Sequence, residues 1–294
     1  MWDDAGLTEL PTLGGPSAMP FGIGSSGLVV GMAETSEMYD ADYNVQRPVL
    51  WDTATIRELG TLGGPLGVAT AMSDSGVVVG ASQGANDDPS LGRKPLRACV
   101  WDGESILDIG DLGGLESVAY DVNDRGWIVG WSTTGAPLGP WFEEHAFVYD
   151  GGSMLDLGTL GGSTSLAWAI NAAGDVVGYS YTAPGTPSRH AFLWRKGSLI
   201  DLGTLGGPFS EALDINDRGD IVGWSRRADF VDHAVLWREG RVLDLNDLAA
   251  GAAGCVVTRA TAIANRGDIL ADVRCGGRSR VALLTPMRHV DSGE

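Results

Sequence analysis

Lysine is scarce in this chain of 294 residues, in which only Lys94 and Lys196 occur. Lysine and arginine together number 20 against 38 aspartates and glutamates, so the formal net charge is −18. A surface with this excess of carboxylates repels phosphate backbones and anionic lipid headgroups. We therefore expect neither nucleic acid nor a membrane among the partners, and we expect a monomer.

Long apolar runs and a leader are missing as well. No run of apolar residues approaches the roughly 18–20 that a membrane-spanning helix requires. The first ten residues, MWDDAGLTEL, have neither a basic n-region nor an apolar h-region, so the sequence shows no signal peptide. Two locations stay open: the cytoplasm, or the outside of the cell if a leader has been removed.

Cysteine is the third scarce residue, with Cys99, Cys255 and Cys275 in the whole chain. Three cysteines do not form a disulfide framework. Cys255 is expected in a turn and Cys275 in a loop at the same end of the last repeat, where they form either one bridge or two free thiols. Cys99 lies within the strand-like segment ACVW and is expected to be a small buried core residue.

Sequence motifs of several common enzyme classes are also missing. The chain contains no G-x-S-x-G, H-E-x-x-H, P-loop or C-x-x-C motif, which leaves hydrolase, zinc-protease and nucleotide-binding functions without support. The segments VNDRG (122–126) and INDRGD (215–220) resemble calcium loops but lack the spaced oxygen ligands, and Asn or Asp before Gly is ordinary hairpin chemistry. We expect no metal and no cofactor.

What the chain does have is an internal repeat of roughly 43–50 residues, present six times. An LGG unit begins at Leu13, Leu62, Leu112, Leu160 and Leu205, and a degraded sixth copy, NDL, ends at Leu248. A unit of two apolar residues and glycine ends at Gly31, Gly80, Gly130, Gly178 and Gly223, with Ala271 in the sixth copy. An aromatic residue recurs at Trp51, Trp101, Tyr149, Trp194 and Trp237, with Leu284 in the last copy.

Each repeat divides into four short segments with the alternating pattern of β-strands. In the fourth copy these are HAFLW, LIDLGTL, AWAIN and DVVGYS, separated by turn residues, and no segment sustains a helical period. Four antiparallel strands in a unit of this length are typical of a propeller blade. The chain begins just after the position of a HAFL strand and ends with one, RVALLTP. We therefore predict an all-β, closed six-bladed β-propeller with four-stranded antiparallel blades, forming one domain over residues 1–294 and closed by pairing of the N- and C-terminal strands.

The repeated words HAF (145–147 and 190–192) and LGTLGG (157–162 and 202–207) resemble those of the HAF-repeat family of bacterial proteins. That family is named as probable extracellular repeats, and the resemblance spans all six copies while matching closely only in the middle ones. It is defined by its repeat and not by a reaction. The resemblance therefore implies a fold and an extracellular location, and it supplies no catalytic residue.

Basic and acidic residues recur at fixed positions in the repeat. Four positions before the aromatic position of each repeat stand the basic residues Arg47, Arg97, His145, His190, His233 and Arg280. Seven positions after an aromatic stand the acidic residues Glu9, Glu58, Asp108, Asp156, Asp201 and Asp244. If RKG turns the hairpin in the fourth copy, His190 and Asp201 are diagonal neighbours on one face of the sheet. We favour a pair that staples each blade over a ring around a pore that grips an anion or a metal.

The segments between the glycine unit and the HAF strand vary most in length and content, and we expect them to be loops at one end of the strands. Loops that are free of packing constraints are where function is commonly placed. Aromatic rings beside charged groups suit a sugar-like or cationic organic ligand. The candidate ligand-binding residues are Tyr39, Asp40, Asp42, Tyr43, Trp141, Phe142, Glu143, Glu144, His145, His190, Arg226, Arg227, Asp229, Asp232 and His233.

Two functions from different classes remain open. The first is a binding module that presents the variable loops to a small molecule, a glycan or a protein. The second is a propeller enzyme, a lyase, isomerase or hydrolase, that uses one carboxylate and one histidine as acid–base partners. An enzyme would be marked by a lone perturbed carboxylate or histidine that falls outside the repeat pattern. Since no catalytic residue interrupts the repeat, the sequence favours binding.

Overall fold

The structure is a computed structural model that describes residues 2–3, 6–7, 9–40, 43–53, 55–103, 105–138, 141–249 and 254–286. Its regular secondary structure consists of β-strands and one short helix, and the chain divides into two compact units, residues 1–158 and 159–294. Within the described ranges, no helix has the length and apolar character needed to cross a membrane.

The first unit contains fourteen strands in its described residues. Their bounds are β1 Trp2–Asp3, β2 Gly6–Leu7, β3 Gly14–Ile23, β4 Val29–Met38, β5 Asn44–Asp52, β6 Thr55–Glu58, β7 Gly63–Met72, β8 Val78–Gly84, β9 Leu96–Asp102, β10 Ser105–Asp108, β11 Gly113–Val122, β12 Ile128–Leu138, β13 Trp141–Tyr149 and β14 Met154–Asp156.

The second unit contains eleven strands and one short helix in its described residues. Their bounds are β15 Ser165–Ile170, β16 Val176–Tyr181, β17 Arg189–Arg195, β18 Ser198–Asp201, β19 Gly206–Ile215, β20 Ile221–Arg227, β21 Asp232–Arg238, β22 Arg241–Asp244, α1 Leu245–Leu248, β23 Cys255–Ile263, β24 Ile269–Cys275 and β25 Arg278–Leu284.

The strands pair with their sequence neighbours in antiparallel order, as the repeat predicts. The antiparallel sets are β3–β6, β7–β10, β11–β14, β15–β18, β19–β22 and the three strands β23–β25. One parallel bridge joins the first set to the second, and another joins the fourth to the fifth. Every described sheet lies within one unit, so the predicted pairing between the N- and C-terminal strands is not part of these hydrogen-bonded sheets.

The recurring glycine of the second repeat unit is explained by a β-bulge. The first strand of each set carries an extra residue, and its ladder shifts register where it passes the glycine, for example between Ala69 and Ala71 opposite Gly80. A side-chain carbon placed on Gly80 would lie 2.0 Å from the Val68 carbonyl oxygen. The bulge therefore leaves no room for a side chain at this position.

Three of the repeat tryptophans link consecutive repeats from within the core. Trp51, Trp101 and Trp237 are fully buried, and each indole N–H donates to a backbone carbonyl of the preceding repeat. The acceptors are Pro11 at 2.8 Å, Gly60 at 3.1 Å and Leu202 at 2.9 Å. A buried indole N–H requires a partner, so these bonds fix the packing between neighbouring sets of strands.

The N-D-R-G and N-A-A-G turns serve as hairpin turns and also link one repeat to the next. The side chain of Asn171 accepts backbone N–H groups of its own turn, at 3.0 and 2.9 Å. Asp217 accepts the Ala172 N–H at 2.9 Å and donates its own N–H to Asn265 Oδ1 at 2.8 Å. These turns are therefore tied to one another at one end of the strands, and the variable segments emerge at the other end.

Several local predictions differ from the structure. The GG pair, expected in a turn, begins the strands β3, β7, β11 and β19, with its first glycine at positive φ. The outer strand predicted over LIDLGTL ends at Asp201, because Gly203 takes a positive φ of 70°. The degraded NDL copy forms α1, which Asp244 caps by accepting the Asn246 N–H.

The last repeat carries a disulfide bond between Cys255 and Cys275. Of the two alternatives left open by the sequence, the bridge is therefore the one present, and its surroundings differ from those expected. Both cysteines lie on strands, β23 and β24, where they are direct partners in the antiparallel register with a Cα–Cα distance of 4.2 Å. Cys99 is a free, fully buried thiol, as predicted, and burial raises its pKa to about 12.

Candidate functional site

The repeated basic and acidic positions meet across the outer hairpin of each set. Phe192 is paired with Asp201, and His190 Nδ1 lies 2.8 Å from Asp201 Oδ2. Five such pairs occur among the described residues: Arg47–Glu58, Arg97–Asp108, His145–Asp156, His190–Asp201 and His233–Asp244. This geometry supports a staple of the outer hairpin rather than a ligand site. Contact between the sixth members, Arg280 and Glu9, stays a prediction.

The pair of His145 and Asp156 has pKa values shifted toward the charged forms. The hydrogen bond that His145 donates to Asp156 raises the pKa of His145, and partial burial opposes that shift. Burial raises the pKa of Asp156, but the hydrogen bonds from His145 and from the Gly158 N–H outweigh it and lower this pKa overall. His145 is therefore held as a cation more readily than an isolated histidine.

The first variable segment is a β-hairpin and not the predicted loop. Strand β4 runs to Met38 and β5 begins at Asn44, because the antiparallel hydrogen bonds continue outward beyond the core. Tyr39 and Asp40 both donate their N–H to the Tyr43 carbonyl, and Asp40 Oδ1 accepts the Tyr43 N–H at 2.9 Å. The rings of Tyr39 and Tyr43 are exposed, and Asp42 lies outside the described residues.

The third variable segment is likewise a long pair of strands, β12 and β13, instead of a loop. Trp141 and Phe142 lie on β13, and their side chains are outside the described set. Glu143 Oε2 lies 3.9 Å from His145 Nε2. Burial raises the pKa of Glu144, and the negative charge of Glu116 raises it further.

The fifth variable segment brings its charged residues together in pairs. Arg226 forms a two-point ion pair with Asp232, at 2.7 and 3.0 Å. Arg227 lies 3.6 Å from Asp229 and 3.9 Å from Asp244, the carboxylate that also binds His233. Of the predicted residues in the second unit, Arg226 and Asp232 thus form one group, and Arg227, Asp229 and His233 form another around Asp244.

Arg226 belongs to a larger group of aromatic and charged side chains in the second unit, here called the Arg189 cluster. Its members are Arg189, Glu211, Arg226, Asp232, Trp168, Tyr179, Tyr181, Phe209 and Trp224. The Arg189 guanidinium carbon lies 4.9 Å from the ring centre of Tyr179, 5.8 Å from that of Trp224 and 5.9 Å from that of Phe209. Arg226 stacks on the same Phe209 ring at 5.0 Å.

Glu211 is the buried acid of the Arg189 cluster, with only 5% of its surface exposed. Its Oε1 accepts the indole N–H of Trp168 at 2.8 Å, and its Oε2 accepts that of Trp224 at 3.0 Å. Arg189 Nη2 lies 3.6 Å from Glu211 Oε2. A buried carboxylate needs such partners, and here one cation and two indoles hold it in a fixed orientation.

Arg189 itself is incompletely satisfied. Its Nε atom is buried, and within the described part of the chain it has no hydrogen-bond acceptor. A buried donor without an acceptor costs on the order of 1–3 kcal/mol. This donor is ringed by aromatic side chains near the variable end of β17, and an external acceptor reaches it only when a neighbouring side chain moves aside.

The sequence patterns did not single out Arg189, Glu211 and the cluster's aromatic rings, although one signal was available. In the registers of the sheets, Glu211 occupies the position held by Met19, Val68, Val118, Leu166 and Arg259 in the other repeats, each paired with the residue after the recurring glycine or, in the sixth copy, after Ala271. A charged residue at a position that is apolar in four of the other five copies is the kind of departure from the repeat that marks a functional site.

Comparison with solved structures shows which fold this chain has. The β-propeller domain of the Trilobed protease from Pyrococcus furiosus aligns over 92% of this chain and 83% of its own, with a TM-score of 0.55 and 11% sequence identity. This chain has a β-propeller fold. Pyrococcus horikoshii acylaminoacyl peptidase aligns over 91% of this chain with a TM-score of 0.52 and 12% identity, and the propeller described here covers 45% of that protein.

Other comparisons give no match. No protein-family model matches the propeller chain, and no curated protein matches its sequence. Among the described residues, no group of three or more histidine, cysteine, aspartate or glutamate side chains is arranged to hold a metal ion.

Proposed function

We propose that the protein is a ligand-binding β-propeller and that the Arg189 cluster is its binding site. The carrying observation is the buried, unpaired Nε of Arg189, placed among aromatic rings beside Glu211. The site lies toward the end of the strands from which the variable segments emerge. The ligand is a small molecule, a glycan or a protein segment that supplies the missing acceptor.

The propeller has six blades in this proposal, and each antiparallel set of strands is one blade. Five sets have four strands and the last has three, so the last blade lacks one strand among the described residues. Pairing of β25 with the strand near Leu7–Leu13 would supply the closure. The Trilobed protease propeller has an open velcro topology, which is the alternative arrangement for a propeller of this kind. Deleting the residues after Arg278 tests closure: aggregation through exposed strand edges supports it, and a stable monomer contradicts it.

The binding proposal is tested by screening the purified chain against glycan, peptide and metabolite libraries. Arg189→Lys retains the positive charge but removes the Nε donor and the planar guanidinium, so binding should fall at least tenfold. Arg218→Lys is the matched control, since Arg218 lies in the turn at the other end of β19. The proposal would be contradicted if the ligands bind the wild type and Arg189→Lys with the same affinity.

A second candidate, a propeller enzyme, draws support from the third variable segment. Glu144 has a raised pKa because of burial and the nearby charge of Glu116, and it stands next to His145 in β13. A carboxyl group with a raised pKa retains its proton to higher pH than an ordinary glutamate, which suits a general acid. The two similar structures belong to peptidases, but likeness at 11–12% identity concerns the fold alone. This candidate would be favoured if the protein turns over a substrate and if that turnover is lost in Glu144→Gln but retained in Arg189→Lys.

A further inference from the structure

We infer that the ligand of the Arg189 cluster is a neutral glycan, recognised through the hydroxyl groups and the C–H face of a pyranose ring. The inference rests on the proposed binding function and narrows it to one chemical class. Three properties of the cluster carry it: its balance of charge, its pairing of a donor with an acceptor, and its half-buried aromatic rings.

The charges of the cluster balance. Arg189 and Arg226 contribute two positive charges, and Glu211 and Asp232 contribute two negative charges. Each cation is already near a carboxylate, so the site offers no excess charge for an ionic ligand. The chain carries a net charge of −18, which adds a repulsive field against uronates, phosphates and other anions. A neutral ligand meets no such repulsion.

The hydrogen-bonding groups of the cluster match vicinal hydroxyls. The Arg189 Nε–H is a buried donor without an acceptor in the described residues, and Glu211 next to it is an acceptor. The Glu211 carboxylate receives two indole N–H groups and has about four lone-pair sites, so it has capacity for a further donor. A sugar hydroxyl both accepts and donates, so it would satisfy Arg189 and Glu211 together once a neighbouring side chain moves aside to admit it.

The aromatic side chains provide an apolar surface beside these polar groups. The ring centres of Trp168 and Tyr179 lie 6.3 Å apart, and those of Tyr179 and Tyr181 are separated by the same distance. All three residues are half-buried, so part of each remains accessible. Since a pyranose has one face dominated by C–H groups, it packs against aromatic rings while its hydroxyls bind at the edge.

Titration calorimetry with defined oligosaccharides tests the inference. The probes are neutral hexasaccharides of glucose, mannose, galactose and xylose, a hexamer of galacturonate as the anionic comparison, and a mixture of unrelated peptides. We expect one or more neutral hexasaccharides to bind, with a loss of at least tenfold in Arg189→Lys and in Glu211→Gln and no change in Arg218→Lys. Melting temperatures of the variants establish that they are folded.

The outcomes separate the inference from the proposed function. Galacturonate or peptide binding that exceeds neutral-glycan binding and depends on Arg189 would overturn the inference and leave the binding function intact. Binding that is indifferent to Arg189→Lys and Glu211→Gln for every probe would overturn both. The inference and the proposed function are both supported if a neutral hexasaccharide binds more tightly than galacturonate and the peptides, and if this binding is lost in Arg189→Lys and in Glu211→Gln.

Discussion

His190 and Asp201 are diagonal neighbours across the β17–β18 hairpin, with Nδ1 of the histidine 2.8 Å from Oδ2 of the aspartate. The same carboxylate accepts the N–H of Gly203 at 2.7 Å, just after the strand ends. Asp201 therefore fixes both the outer hairpin and the turn that follows it. Four other described pairs repeat the arrangement, which explains why the chain repeats the same sequence.

Replacing Asp201 by alanine should lower stability without weakening ligand binding. The side chain is 44% exposed, so we expect a loss of about 1 kcal/mol, which corresponds to a decrease of roughly 2–4 °C in melting temperature. Calorimetric melting checks this value. Asp102→Ala, at the exposed end of β9, should change the melting temperature by less than 1 °C. A loss of ligand affinity at unchanged melting temperature would refute the structural role.

His145 should make stability depend on pH above about 6. Its folded pKa is raised by Asp156, so the protonated histidine stabilises the fold below its unfolded pKa of about 6.5, and this contribution is lost as pH rises through the folded pKa. His145→Arg provides the control, because arginine occupies this position in three other repeats and does not titrate. We expect the difference in melting temperature between pH 5.5 and 8.5 to be smaller in the variant. An unchanged difference would be evidence against the coupling.

Asp214 should make the stability of the fold depend on pH in a lower range than His145 does. Burial raises its pKa to about 6, while the hydrogen bonds from Ile263 and Ile215 oppose that shift. The folded state therefore holds a proton that the unfolded state releases near pH 3.8, so this contribution to stability falls as pH rises from about 4 to about 6. Carbon-13 shifts of the carboxyl should titrate near pH 6.

Asp214→Ala tests the effect of this group on stability, since Ala71 and Ala169 hold the same register position in other repeats. Urea unfolding between pH 4 and 6 should show a stability slope in the wild type that is reduced in the variant. Equal slopes in the two proteins would argue that Asp214 titrates in the folded and unfolded states alike.

The disulfide should leave one thiol for reagents under denaturing, non-reducing conditions. That thiol belongs to Cys99, and three reactive thiols would disprove the bridge. A bridge across a sequence separation of 20 residues contributes roughly 3 kcal/mol by restricting the unfolded chain. We expect the double variant Cys255→Ser, Cys275→Ser to melt at a lower temperature than the wild type. In Cys99→Ser, the bridged pair should still contribute no reactive thiol.

Gly80→Ala should be strongly destabilising, whereas Gly84→Ala on the same strand should be tolerated. A Cβ on Gly80 meets the Val68 carbonyl oxygen at 2.0 Å, and one on Gly84 has no heavy atom within 4 Å. Overpacking of this kind costs typically 1–3 kcal/mol, and a contact with rigid backbone places it at the upper end. Urea unfolding of both variants gives the comparison, and equal stabilities would contradict the bulge geometry.

The sequence by itself determined the repeat, the central part of most strand segments and the register of the outer hairpin. Phe192 falls opposite Asp201 because a two-residue period and a glycine turn at Lys196–Gly197 leave one register that keeps the apolar residues on the core face. The recurring tryptophans, the N-D-R-G and N-A-A-G turns and the buried Cys99 follow from the same local rules. These rules act between residues that are close in sequence, so they can be read without coordinates.

Only the tertiary structure decided where charged and aromatic side chains from different strands converge. Glu211 meets Trp168, 43 positions earlier, and Arg189 meets Phe209 through a parallel contact between neighbouring sets of strands. The variable segments also continue as strands instead of loops, because hydrogen bonds across a hairpin extend as long as both strands stay in register. Such contacts depend on how one set of strands packs against the next, and sequence periodicity within a repeat contains no information about that packing.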